Sequence, residues 1–333
     1  MVALDGSHGE GGGQVLRSAL ALSAVTGQPF TLDRVRAGRS KPGLLRQHLT
    51  SLQAAAAVCG AQVEGAALGS QRVVFRPGVV QAGSYEFEVG SAGSANLVLQ
   101  TVLPMLIGAE GESVVRVEGG THNPASPSTD FVRRTFAPAL ALIGPRVEVA
   151  LEQHGFFPAG GGRLRAALRP AALVRACFGQ RTSLGAVRVR GLRSRGGGGA
   201  FAAAVEALGA RLGAVEAVVE HVRSAGPGEV LLVEVEAEPL AMVFAGYVMR
   251  GGSWSVEAER LAVEVERWVH SGVSVDEHLA DQLLLPMALA GGGDLLTTEP
   301  SLHTRTHAEL IERFLPVRVG MEREGVGWRI VVG

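Results

Sequence analysis

Gly9-Glu10-Gly11-Gly12-Gly13-Gln14 runs straight into the apolar helical pattern at 15–22. Glycines let backbone N–H groups approach a ligand closely, and the following helix adds the positive end of its dipole. That arrangement suits a polyanion such as a nucleotide, and Glu10 could hold the divalent cation that travels with it. A flexible glycine turn is the simpler reading of the cluster taken alone. Ser301-Leu302-His303-Thr304-Arg305-Thr306-His307 is the sharpest local candidate for chemistry. His303 and His307 stand four residues apart, a spacing that could suggest metal ligation, but no HExxH glutamate accompanies them and no third ligand is evident.

Three further segments have the residue types for binding. Arg34-Val35-Arg36-Ala37-Gly38-Arg39-Ser40-Lys41-Pro42-Gly43 is the densest basic stretch, with Arg46 and Gln47 following on the next helix. Its arginines would present forked donors to phosphate, or would form a solvated loop of charges. Thr121-His122-Asn123-Pro124 and Ser126-Pro127-Ser128-Thr129-Asp130 make a long polar loop that ends in helix-capping residues. Capping does not require His122 or Asn123, so this reads as a binding loop or a structural turn. His278-Leu279-Ala280-Asp281-Gln282 opens an otherwise apolar helix. Asp281 there either complements the helix dipole, contacts a purine or ribose, or orients a histidine.

Exclusions narrow the chemistry. The chain has no GxxxxGK[ST], no GxSxG and no kinase signature set. Its single lysine, Lys41, lies in Arg-Ser-Lys-Pro-Gly, without the pattern of a nucleotidyl-lysine enzyme. If phosphate is activated covalently here, histidine is the remaining nucleophile.

The elements that position these residues follow one grammar three times. The first segment predicts a helix over 15–25, a strand over 30–35, a helix over 44–59 and strands over 62–64 and 72–75. The second, from near Tyr85, predicts helices over 96–107 and 130–143 around a strand at 113–118, then strands over 146–151 and 163–168. The third, from near Ser255, predicts helices over 256–270 and 279–289, a strand over 295–298, a helix over 305–314 and closing strands over 317–322 and 327–332. Gln100-Thr101-Val102-Leu103-Pro104-Met105 matches Gln282-Leu283-Leu284-Leu285-Pro286-Met287, and His122 and His303 follow at nearly equal distance. A repeat of this length predicts duplicated α+β modules packed as one domain, with sheets covered by helices on one face.

Residues 184–244 break the pattern. They predict a strand over 187–189, a helix over 200–212 and strands over 217–220 and 230–235. Arg188, Arg190, Arg193 and Arg195 precede a glycine run at 196–199. The organisation expected is two repeats over 1–180, an inserted α/β domain over 181–252 and a third repeat over 253–333.

With 333 residues, 47% of them hydrophobic, the chain can fill more than one packed core. A net charge of −1 gives no global field for nucleic acid, so any such contact must be a local patch. Cys59 and Cys177 form no CxxC pair, which points away from zinc and from a disulfide framework. The sequence shows neither a secretory signal pattern nor an apolar run of spanning length, and a cytoplasmic protein with no membrane contact is the expectation.

Taken together, the motifs at 9–14, 36–44, 121–130, 154–158 (His-Gly-Phe-Phe-Pro), 279–282 and 301–306 closely resemble the RNA 3′-terminal phosphate cyclases over essentially the whole chain. The resemblance implies three modules like the C-terminal domain of a translation initiation factor, plus a small inserted domain. It implies ATP and a divalent metal, magnesium or manganese, with RNA bearing a 3′-phosphate as the partner. His303 would take AMP from ATP, pass it to the RNA 3′-phosphate, and the 2′-hydroxyl would close a 2′,3′-cyclic phosphate. By position, Glu10 would hold the metal, and Arg36 and Arg39 would meet RNA phosphate with Gln47 nearby. Arg17, also a phosphate contact, would line the nucleotide pocket with Gln100, Pro127, His278, Leu279, Ala280, Asp281 and Gln282, with Asp281 orienting His303.

Two positions depart from the family. His278 stands where the family commonly has tyrosine, and His307 where it commonly has asparagine. Two other readings are a non-catalytic cyclase-like protein of ribosome assembly and a nucleotide-binding scaffold. The first of these resembles relatives that lack the nucleophile, against which His303 argues.

Overall fold

The computed structural model describes residues 1–195, 200–249 and 251–333, so the glycine run at 196–199 lies outside the described residues. The first module comprises β1 (Val2–Asp5), α1 (Gln14–Thr26), β2 (Phe30–Asp33), α2 (Arg46–Cys59), β3 (Gln62–Glu64) and β4 (Arg72–Arg76). The second comprises β5 (Ser84–Glu88), α3 (Ala95–Leu106), β6 (Ser113–Gly119), α4 (Thr129–Phe131), a π-helical turn Val132–Phe136, α5 (Ala137–Ala141), β7 (Arg146–Gln153) and β8 (Gly162–Arg169). Next comes β9 (Ala176–Phe178), then β10 (Ser183–Ser194), α6 (Phe201–Leu212), β11 (Val215–His221), β12 (Gly228–Glu238), β13 (Met242–Tyr247) and α7 (Trp254–Ser271). The chain ends with α8 (Glu277–Leu289), β14 (Gly293–Thr297), α9 (Leu302–Phe314), β15 (Val319–Glu324) and β16 (Gly327–Val332).

The fold is α+β, with four four-stranded mixed sheets. Three of them share one plan: β1-β2-β4-β3, β5-β6-β8-β7 and β9-β14-β16-β15. In each, the first pair is parallel and the other two pairs are antiparallel. The fourth sheet, β11-β10-β12-β13, interrupts the third plan after its first strand.

That interruption differs from the expected parsing. β9 is not among the sequence-predicted strands, yet its three residues pair with β14. The third sheet therefore begins before the interruption and not near Ser255. The long helix α7, expected in the third repeat, packs instead against α6, β12 and β13. Its buried stripe Trp254, Ala258, Leu261, Ala262, Val265 and Trp268 has helical spacing, so its apolar face covers the fourth sheet.

Helices α1, α3 and α8 are apolar almost all round and fill the centre. Leu16, Leu20, Leu22, Val98, Leu99, Leu283 and Leu284 are wholly buried, each such burial contributing about 1.5–3 kcal/mol. Pro104 and Pro286 lie at matching places in α3 and α8, and Gln100 of α3 donates its amide N–H to Gln282 of α8. Two glutamines at like positions in their helices thus meet face to face.

A buried ionic network joins the fourth sheet to the second module. Asp130 accepts from His122 Nε2 at 2.9 Å and from Arg190 Nη1 at 2.9 Å. Arg190 also donates to Glu220 and Glu234, each at 2.7 Å, and Arg134 reaches Glu234 at 2.7 Å. Burial alone would push the Asp130 carboxyl up, but the bonds and charges of His122 and Arg190 hold it well below the usual range. The loop at 121–130 is therefore anchored from two sides.

Candidate active site

The glycine cluster is a packed seat for side chains, not a loose turn. Gly9 and Gly11 adopt left-handed φ of 61° and 60°, which favours glycine. A Cβ on Gly12 would meet the Glu10 carboxylate at 2.3 Å, and one on Gly13 would meet His48 at 2.5 Å and Arg17 at 2.7 Å. The absent side chains leave room for Glu10, His48 and Arg17. Glu10 is ion-paired with Arg39, whose side chain is 48% exposed.

Arg36 and Arg39 have different roles in their loop. Arg36 is buried, and its Nη1 donates to the carbonyls of Lys41 at 2.7 Å and Gly43 at 2.8 Å. Those bonds brace the loop from inside. Gln47 accepts the Ser94 N–H at 2.9 Å, tying α2 to the start of α3. Burial, then the charges of Arg17, Arg36 and Arg39, push the His48 imidazole down to about 3. Burial is the larger cause of that shift, and the three guanidiniums around His48 supply the positive charge an incoming phosphate needs. Arg17, lowered to about 10 by burial against the pull of Glu10 and Asp281, remains cationic at neutral pH.

His303 lies in the first turn of α9. Ser301 caps that helix, its Oγ accepting the Thr304 N–H at 3.1 Å. Asp276 caps α8 in the same way, accepting the Leu279 N–H at 2.7 Å. These caps fix the two helix starts that carry Asp281 and His303. Asp281 does not touch His303 directly, as a direct orienting contact would require. Gln14 stands between them: its Nε2 donates to Asp281 Oδ1 at 2.6 Å, and its Oε1 meets His303 Nδ1 at 2.7 Å. Burial opposes the charge on Asp281, but the bond from His307, the charges of His307 and His303 and the bond from Gln14 lower its pKa overall. Asp281 is therefore an ionised acceptor. It turns the Gln14 amide so that oxygen faces His303, which places the imidazole proton on Nδ1 and the lone pair on Nε2.

His307 occupies the far side of Asp281. Its Nδ1 lies 2.9 Å from the Asp281 carbonyl oxygen and 3.1 Å from Oδ1, while its buried Nε2 has no hydrogen-bond partner among the described residues. An asparagine amide at this position can donate the same bond and leaves no orphaned ring nitrogen. His307→Asn is expected to keep the rate of protein adenylylation within about twofold and to leave the metal titration of that rate unmoved. A metal pair of His303 and His307 would instead shift the metal curve far to the right.

These groups line a cleft of about 760 Å³. Arg17, Gln100, Pro127, His278, Asp281, Gln282 and His303 are all on its wall. Leu279 and Ala280 are fully buried behind that wall, so they pack α8 and do not face the cleft. Arg36, Arg39 and Gln47 lie outside the lining, with Arg39 beside Glu10 and Gln47 beside Ser94. The opposite wall went unread in the sequence: Val243 to Tyr247 of β13 and Glu257, Arg260, Glu264 and Arg267 of α7. Tyr247 donates its hydroxyl to the Ser126 carbonyl at 3.4 Å, closing the fourth sheet onto the loop at 121–130.

Residues 8–321, nearly the whole chain, match the family model described as RNA 3′-terminal phosphate cyclase. The chain belongs to this family. Its family acts on RNA, and no described helix is long and apolar enough to cross a membrane.

Among the described residues no three His, Cys, Asp or Glu side chains cluster as a cage. Magnesium carried by a nucleotide keeps waters and phosphate oxygens and needs only one or two carboxylates. Glu10 fits that smaller demand: its side chain is only 7% exposed, and it lies 3.6 Å from His303 Nδ1.

Proposed function

We propose that this chain is a catalytic member of its family, converting an RNA 3′-phosphate to a 2′,3′-cyclic phosphate at the expense of ATP. The observation that supports it is the Asp281–Gln14–His303 relay, which leaves Nε2 as the free nitrogen of a histidine on the cleft wall. Nε2 attacks the α-phosphorus of ATP, the α–β bridging bond breaks, and pyrophosphate leaves. A 3′-phosphate oxygen of the RNA then attacks the same phosphorus, breaking the bond to Nε2 and restoring the imidazole. The neighbouring 2′-hydroxyl loses its proton and attacks the RNA phosphorus, and AMP departs as the ring closes.

The division of labour follows from charge. Arg17 offsets the negative charge that gathers at each transfer, and Gln100, Pro127, His278 and Gln282 shape the nucleotide side of the cleft. Arg39, half-exposed and paired with Glu10, is the guanidinium within reach of RNA phosphate, while Arg36 braces its loop and Gln47 steadies α2. A divalent cation held by Glu10 would supply further charge compensation at the nucleotide phosphates. A cytoplasmic location is part of this proposal. Incubating the protein with α-labelled ATP and magnesium or manganese tests it: an acid-labile protein–AMP adduct is expected, discharged by RNA with a 3′-phosphate. Tight ATP binding with no adduct would replace this reading with a nucleotide-binding scaffold.

A further inference from the structure

A second cavity, of about 510 Å³, opens beside the loop that follows β11. Its wall includes Glu152, Gln153 and His154 from the region ending β7, Arg195 at the end of β10, and Arg223 and Ser224. Arg188, Arg190 and Arg193 on β10 are each tied to glutamates. Arg195 and Arg223 are exposed and have no carboxylate partner among the described residues. Arg195 holds a left-handed φ of 42°, a conformation that arginine rarely adopts.

The polar groups between these two cations are unsatisfied. Ser224 is 8% exposed, and among the described residues its hydroxyl has no hydrogen-bond partner. His154 stacks on His122 at 5.5 Å and Phe156 at 6.1 Å, and among the described residues neither ring nitrogen has a hydrogen-bond partner. Burial, then the neighbouring His122, push its pKa down to about 4, so at neutral pH it offers one donor and one acceptor. The one carboxylate on the wall, Glu152, is drawn toward Arg116 at 3.7 Å. Two forked cations, a buried hydroxyl and a neutral imidazole make a set of donors for phosphate oxygens.

The cavity and the catalytic cleft are built on the same loop. His154 stacks on His122, His122 is bonded to Asp130, and the residues between them, Pro124 to Ser128, line the cleft. We propose that this cavity binds an internal phosphodiester of the RNA strand, away from its 3′ end. The proposal rests on RNA being the substrate, but not on His303 being the nucleophile. It also answers how a chain of net charge −1 holds a polyanion: through a local site and not a global field.

The test compares two 3′-phosphorylated RNAs, a long single-stranded oligonucleotide and a trinucleotide, by fluorescence anisotropy over a range of salt. Arg195→Glu combined with Arg223→Glu is expected to weaken the long RNA at least about tenfold and to flatten its salt slope by about 0.7, the share of one phosphate. Trinucleotide binding and AMP labelling of the protein should not change. Ser224→Ala should move long-RNA affinity in the same direction by a smaller factor, and circular dichroism should show all variants folded. Unchanged long-RNA affinity and slope in the double variant overturns the proposal. So does a wild-type protein that binds the two RNAs equally, and so does a loss of ATP affinity with RNA affinity intact, which would assign the cavity to a free nucleotide. Failure of AMP labelling in a wild type that still prefers long RNA would sink the catalytic reading and leave this one standing.

Discussion

His303→Ala is expected to abolish transfer of AMP from ATP to the protein, with at least about a 10⁴-fold loss of rate, and to abolish cyclisation with it. The fold should survive. The side chain is 48% exposed at the first turn of α9, and the Ser301 cap does not depend on it, so stability should change by no more than about 0.5 kcal/mol. The two nearest alternatives are poorly placed to substitute. His307 is buried, with Nδ1 committed to Asp281. His278 is on the cleft wall with its side chain 64% exposed, which makes it the real competitor. Desolvation opposes charge on His278, but Asp276, Glu277, Glu264 and Asp281 outweigh it and raise its pKa. A larger share of His278 is therefore imidazolium near neutral pH, with no lone pair to attack phosphorus. His278→Ala should retain the adduct, while His303→Ala should show none by labelling and intact-protein mass. Full labelling of His303→Ala would remove this histidine from the reaction.

Much of this arrangement is legible in the amino-acid sequence, for reasons that are local. The apolar helices α1, α3 and α8 announce themselves by composition, and the match of Gln100–Met105 to Gln282–Met287 reveals the duplication that sets Gln100 against Gln282. Three features are not legible, because each depends on contacts between distant segments. β9 has only three residues and no alternation to read, and its partner β14 lies beyond the fourth sheet. The direction of a guanidinium is invisible in an Arg-rich loop: Arg36 turns inward to Lys41 and Gly43, and Arg39 turns to Glu10. The cleft wall from β13 and α7 could not be foreseen, since an insertion reads as a separate unit until its docking is seen. The buried Asp130–Arg190–Glu234 network is what docks it.

Gln14 is the clearest case of a residue whose type is readable and whose role is not. It opens α1 as the one polar side chain between the glycine cluster and an apolar run, yet its partners Asp281 and His303 are 267 and 289 residues away. Gln14→Ala is expected to slow adenylylation by about 100-fold, because His303 loses the acceptor that selects its tautomer and Asp281 loses a donor. A general loosening of the site would slow the reaction too, so the deciding variant is Gln14→Glu. It keeps the length of the side chain and sets a second carboxyl beside Asp281, and the two must share a proton or repel. Negative charge gathered next to His303 Nδ1 favours the imidazolium. The lone pair on Nε2 is then freed only at higher pH, so the rising limb of the pH–rate profile for adenylylation should move toward alkaline pH. The maximal rate should recover part of the loss seen in Gln14→Ala, since an acceptor again faces Nδ1. A purely structural role for Gln14 predicts a lower rate with the limb in its original place. Single-turnover labelling across pH, in the wild type and both variants, reads the two outcomes apart.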